Sequence, residues 1–138
     1  MVKEDCIFCK IAAGEIPSTT IYEDADFRVF FDINPASKGH CLVIPKQHYD
    51  NVFEIDGEKA GRLFTLATRV ARNLKQELNC EGMNIVQNNG TIAGQTVFHF
   101  HLHLIPRYAG DGVKVEWHPG QTDPEELAAL AEAVGRGL

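Results

Sequence analysis

Between residues 99 and 105 the chain reads His, Phe, His, Leu, His, Leu, Ile, a strict alternation of imidazole with apolar side chains. Successive side chains of a strand point to opposite faces, so the run predicts a strand within residues 97–105. His99, His101 and His103 then share one face, and Phe100, Leu102 and Leu104 enter the core from the other. A slip of one residue would bury the histidines and expose the apolar set, so burial specifies the register strongly. Half of the six histidines fall within these five positions, and packing alone gives no reason for that. Three imidazoles on one face suit two chemistries. One is a catalytic zinc held by all three with a position open to water. The other is nucleophilic attack by one imidazole while its neighbours set its tautomer and bind the developing charge. Just upstream, Asn88, Asn89, Thr91, Gln95 and Thr96 stand among Gly90 and Gly94. Their amide, hydroxyl and backbone N–H groups suit phosphate oxygens better than an enclosed metal.

The rest of the chain supplies the frame for that strand. Residues 20–23 and 27–31 are β-prone runs separated by Asp24, Ala25 and Asp26, which predicts two tightly connected strands, the second more buried. Turn residues at 32–35 lead to a third strand at 40–44 that Pro45 ends. Leu63, Leu66, Ala67, Val70, Leu74 and Leu78 recur in steps of three and four, one face of a helix over 58–78, with Asp56 as its starting cap and Asn79 with Gly82 at its end. Residues 84–86 read as a further strand, and residues 6–13 as one or two helical turns. Asp123, Pro124 and Glu126 open a closing helix whose apolar positions are Leu127, Leu130, Ala131 and Val134. Strands without regular alternation with helices predict an α+β fold, an antiparallel sheet with helices on one side.

At 138 residues, with 44% apolar and 23% charged, the chain has the size and composition of a single globular domain spanning 1–138. A net charge of −6 excludes the nonspecific attraction on which binding to long nucleic acid depends. The apolar runs are too short to span a bilayer and the acidic start is unlike a secretory signal, so the expected protein is soluble and cytoplasmic with no membrane partner. In that compartment Cys6 and Cys9, a CxxC pair, read as thiolates available to a metal, completed to a Cys₂His₂ set by histidines. A buried thiol pair and a redox disulfide are the alternatives. Cys41 and Cys80 read as core or helix-end thiols.

Taken together these motifs resemble the histidine triad (HIT) family, in its bacterial Hint-like branch. The resemblance rests on residues 99–105, on Asp32, Ile33, Asn34 and Pro35, on residues 39–46, and on Gly94, Gln95, Thr96, Val97 and Phe98. It spans about residues 6–107 and leaves 108–138 as a C-terminal extension with a tail helix. It implies a five-stranded antiparallel sheet with one long and one or two short helices, the sheets joined across a homodimer. It also implies binding of purine nucleoside monophosphates and hydrolysis of their phosphoramidates through a covalent nucleotidyl-histidine.

On that resemblance His101 is the nucleophile, His103 binds phosphate oxygens, and His40 stands beside the triad as a fourth histidine. Asn88 and Thr96 contact the phosphate or leaving group, Gln95 offers a backbone donor there, and Asp32 holds the ribose hydroxyls. Cys6, Cys9, His48 and His99 are the implied ligands of a structural zinc. Related chemistries on the same nucleophile are dinucleoside polyphosphate hydrolysis and nucleotidylyl transfer. A nucleotide-binding interaction or regulatory protein with incidental hydrolysis is the reading from another class. Trp117 has two readings: a tail residue that shapes leaving-group preference at a partner's site, or an anchor between the sheet and the last helix.

Overall fold

The computed structural model describes residues 2–138. A short helix α1 (Ile7–Ala12) leads into a hairpin of β1 (Thr20–Glu23) and β2 (Phe27–Phe31). Asp24 closes that turn by accepting from the N–H groups of Asp26 and Phe27, both at 2.8 Å. Next come β3 (Cys41–Pro45), the long helix α2 (Gly57–Leu78), β4 (Gly82–Val86), a 3₁₀ turn (Thr91–Ala93), β5 (Leu102–Arg107) and α3 (Pro124–Arg136). The five strands form one sheet in the order β1-β2-β3-β5-β4, with every neighbouring pair antiparallel. The fold is α+β, as the spacing predicts.

Strand β3 lies near the centre of the sheet and is buried at all five positions. Val29, Cys41, Val43, Leu102 and Leu104 face α2, whose Leu63, Leu66, Ala67, Val70 and Leu74 complete the main core. Full burial of each such leucine or valine stabilises the fold by about 1.5–3 kcal/mol. The helix stops where Asn79 turns into the left-handed conformation at φ 52° and donates its N–H to Lys75 O. On the opposite face, Phe30, Leu42 and Ile44 pack against Phe8, Ile11 and Ala12 of α1. Helices on one side only is therefore corrected: a strand apolar on both faces needs a cover on each, and α1 supplies the second.

Several strand boundaries also differ from expectation: Gly82, expected to help end α2, opens β4, which begins two residues before the expected 84, and β5 runs on to Arg107. Pro45 lies inside β3, pairing with Phe27, while the β3–β5 ladder ends at Val43. Without a partner on that side no N–H is required of the proline. The histidine strand begins at Leu102 and not at residue 97. Ahead of it, the Phe100 N–H donates to Tyr49 O at 2.6 Å, so residues 99–101 are tied to the loop before α2 and have no backbone ladder to a neighbouring strand. The side-chain alternation survives: Phe100 joins the α2 core, while His99 and His101 point to the α1 face. The closing helix α3 forms as expected, with the Asp123 carboxylate accepting from the Glu125 N–H, but none of its residues is buried. Asp56 holds the cap position of α2 without a side-chain hydrogen bond.

Candidate active site and metal centre

Adjacent strands deliver the histidines. His103 on β5 stands opposite Leu42 of β3, and His40 immediately precedes β3, after a turn at Gly39. There φ is 92° and a Cβ would strike the Leu78 side chain, so only glycine fits. His40 Nε2 lies 2.9 Å from His103 Nδ1, and the Ala36 N–H donates to His40 Nδ1 at 2.9 Å. With that lone pair taken, neutral His40 carries its proton on Nε2 and donates it to His103 Nδ1, which leaves His103 with a free Nε2–H donor. His101 Nδ1 lies 2.6 Å from the carbonyl oxygen of His99. A carbonyl only accepts, so His101 carries its proton on Nδ1 and its lone pair on Nε2. The His101 and His103 rings stand 4.9 Å apart, and Phe8 of α1 meets His101 edge-on at 5.0 Å.

Burial holds all three rings neutral near pH 7. It is the main cause of the lowered pKa of His101, and of His40, where Asp32 partly opposes it. His103 is pushed down to about 4, first by burial and then by the like charges that His101 and His40 would carry. The cluster therefore offers a neutral nucleophilic nitrogen beside a fixed N–H donor. Asp32 borders it, with Oδ2 3.7 Å from His40 Nε2 and Oδ1 accepting from the Asn34 N–H at 2.8 Å.

The structure thus brings Asp32, His40, His101 and His103 together. Asn88, Gln95 and Thr96 lie on the loop upstream of His99, and among the described residues none of them hydrogen-bonds to the histidine cluster. Gln95 is buried as a brace: Oε1 accepts from the Gly90 N–H at 2.8 Å, and Nε2 donates to Asp50 O at 2.6 Å and Val97 O at 3.1 Å. Its backbone N–H, expected to face phosphate, donates to Gly90 O at 3.1 Å. Asn88 stands against Gly94, where a Cβ would lie 3.6 Å from Asn88 Nδ2, and Thr96 is exposed.

Behind His101 a second cluster forms. Cys6 Sγ lies 3.3 Å and Cys9 Sγ 3.4 Å from His99 Nδ1, and Cys9 Sγ lies 3.4 Å from His48 Nδ1. All four ligand atoms fall within 4.8 Å of one another. A tetrahedral zinc with ordinary bond lengths separates sulfur from nitrogen by about 3.5 Å, so the spacing fits that ion. The ring tautomers fit as well. His99 donates Nε2–H to Pro45 O at 2.8 Å, and His48 donates Nε2–H to Asp50 Oδ1 at 2.7 Å. Both Nδ1 lone pairs therefore face the thiols, the outer support that metal-binding histidines need. His99, His101 and His103 do not converge on one point, because the His99 lone pair turns to the cysteines. Cys41 is a core thiol, pushed up to about 12 by burial.

Four contributors escaped the sequence: Asp50, Phe8, the Ala36 N–H and the Pro45 carbonyl. Only Asp50 left a signal, an acid two residues beyond a candidate histidine ligand. The others act through backbone atoms or as an aromatic wall, which residue type does not advertise.

Sheet, histidine run and thiol cluster define a histidine-triad protein. The HIT domain family model matches residues 13–110, and the chain belongs to that family. It is 41% identical over 130 residues to an adenosine 5'-monophosphoramidase of Schizosaccharomyces pombe, covering 94% of this chain and 95% of that protein. Among solved structures, a HIT family member from Bacillus subtilis matches with a TM-score of 0.92 and 43% identity over 98% of each chain. A zinc-bound histidine triad protein from Mycobacterium smegmatis matches with a TM-score of 0.76 and 38% identity, covering 96% of this chain and 97% of that one.

Proposed function

We propose that this protein is a nucleotide hydrolase that cleaves purine nucleoside phosphoramidates through a covalent intermediate on His101. The observation that carries the reading is the His101 Nδ1–H bond to His99 O, which leaves Nε2 as a lone pair on a neutral ring. His101 Nε2 attacks the α-phosphorus and the P–N bond breaks, the amine leaving with a proton drawn from solvent. Water then attacks the nucleotidyl-histidine, releasing the nucleoside monophosphate and restoring the ring. His103 donates its Nε2–H to a phosphate oxygen, and His40 keeps that proton in place from the far side. Asp32 accepts from the ribose hydroxyls, and Asn88 and Thr96 contact the phosphate or leaving group. Gln95 serves by bracing their loop.

Cys6, Cys9, His48 and His99 hold a structural zinc in this reading, supported by their spacing and by the zinc-bound relative. The ion would pin α1, and with it Phe8, to the histidine run, and His99 is then unavailable as nucleophile. The same reading makes the chain a cytoplasmic single-domain homodimer joined at β4, an edge strand paired only to β5. Among the described residues no helix is long and apolar enough to cross a membrane.

Mass spectrometry after brief exposure to an adenosine phosphoramidate, with AMP release followed in parallel, tests the proposal. An adenylyl adduct or AMP is expected from the native protein and neither from His101→Ala. Native masses report zinc and copy number. Neither product from native protein, with AMP still bound, would make it a binding module instead.

A further inference from the structure

Helix α2 and the β1 edge of the sheet do not close on each other. Between them runs a groove of about 950 Å³, on the sheet face opposite the histidines. Its floor is apolar, made by Phe31 at the end of β2 and by Leu66, Val70, Leu74 and Leu78 of α2. That size and lining suit a small molecule. No residue beyond 78 lines the groove. The C-terminal segment leaves it open: Trp117 is 80% exposed, which excludes it as an anchor between the sheet and the last helix, and α3 buries nothing.

Charge makes the groove selective. Lys38, Arg69 and Arg72 line it, and among the described residues none of the three is paired with a carboxylate, the chain's ion pairs falling on other cations. Glu77 is the one acid in the lining, so the groove carries a net +2 on a chain whose net charge is −6. The same helix treats its earlier cations differently. Arg62 is held by Asp26 at 2.8 Å and by Glu58 at 3.7 Å, and Lys59 by Asp26 at 3.4 Å. Ion pairs thus neutralise the start of α2 and stop where the groove begins. On the β1 side, Tyr22 donates to Asp24 at 3.0 Å, which holds its phenol above the ordinary pKa, and the Arg69 charge partly opposes that shift. Arg69 is therefore within electrostatic reach of β1.

A ligand with an apolar body and an anionic head would use both halves of this lining. The leucines take the body out of water, and the arginines offer the head charged donors that no protein carboxylate occupies. An added peptide strand fits less well, since β1 is four residues long and its pairing with β2 slips between Thr20 and Tyr22. We infer that the groove is a second binding site, for a small amphipathic anion whose carboxylate or phosphate head meets Arg69 and Arg72, neighbours on the surface of α2, while its apolar body lies on the leucine floor. The inference is independent of the phosphoramidase reading, because no residue of the histidine or thiol cluster lines the groove.

Calorimetry with dodecanoate, dodecyl phosphate and dodecyltrimethylammonium, each below its micellar concentration, tests the site. Four proteins are compared: native, Arg69→Gln/Arg72→Gln, Asn73→Trp, which fills the groove from an exposed position in its lining, and Lys75→Gln, which removes a cation of the same helix outside the groove. One saturable site is expected for an anion and none for the cation, and the tighter of the two anions identifies the head. The double variant is expected to weaken binding by about 100-fold, tenfold for each arginine. Asn73→Trp is expected to abolish it, Lys75→Gln to leave it unchanged, and added AMP not to displace the anion. No saturable binding of either anion overturns the inference. So does binding that the cationic detergent matches, that Lys75→Gln weakens equally or that AMP displaces. An acetylated peptide of alternating glutamate and leucine that binds native protein but not the double variant, with neither anion bound, would make the groove a peptide site instead. Sedimentation that slows in the double variant would make it a contact between copies and overturn the inference as well.

Discussion

His99 and His103 stand four residues apart on one run and do opposite things with the same side chain. His99 is fully buried, gives its Nε2–H to a backbone carbonyl and turns its lone pair toward two thiols. His103 is half-buried, takes a hydrogen bond from His40 and keeps its N–H free for a ligand. What differs is the partner on the second ring nitrogen, since a carbonyl forces a proton there and a donating ring forbids one. Residue type therefore marks where the chemistry is, and the neighbours decide which chemistry.

The sharpest way to break this contrast is at the residue between them. His101→Ala should lower AMP release from an adenosine phosphoramidate by about 10⁴-fold or more, read by steady-state turnover, because no other lone pair of the run faces the site. Loss of only a few-fold would assign attack to another group. His40→Ala should lower kcat by about 10²-fold with little change in KM, since it removes the proton arrangement of His103 without removing the ring. An unchanged kcat would show that His103 needs no such support.

Cys9→Ser should sharpen the contrast from the other end. The melting temperature is expected to fall by about 10 °C or more, while turnover of the protein that remains folded falls about tenfold or less. Turnover abolished with the fold intact would make the metal catalytic. The smallest effect is on pH. His40 and His103 are held below the ordinary imidazole pKa. Below about pH 6.5 the unfolded chain takes up protons that the folded rings refuse. Stability should therefore be unaffected by these rings above that pH and fall as the pH drops toward about 4, the value to which His103 is pushed. Urea midpoints across this range should fall less steeply in a His40→Asn/His103→Asn variant. Equal slopes would mean the rings titrate normally.

Elements whose pattern depends on burial were legible from residue order. Strand β2 and helix α2 lie where a β-prone run and three-four spacing put them, because both bury side chains against the core, whereas β1 was legible from its β-prone residues and the turn after it although all four of its positions are exposed. The start of β5 was not legible, since residues 97–101 carry strand-like alternation while Phe100 bonds to Tyr49 across a loop. Nor was the second helical layer, because α1 is too short for its period to show which face of the sheet it covers. In the site, the histidines and cysteines declared themselves. The orientation of each ring did not, because backbone groups of Ala36, Pro45 and His99 set it.

That last contact separates two fates. The His101 proton is held by the main chain of residue 99, and every amino acid has that oxygen. On the proposed reading a lineage could therefore discard Cys6, Cys9 and even the imidazole at 99, and with them the proposed metal, without erasing the lock on the His101 lone pair. In that reading the loss of the thiol cluster costs stability, which other contacts can restore, whereas the loss of the His101 ring costs the chemistry itself.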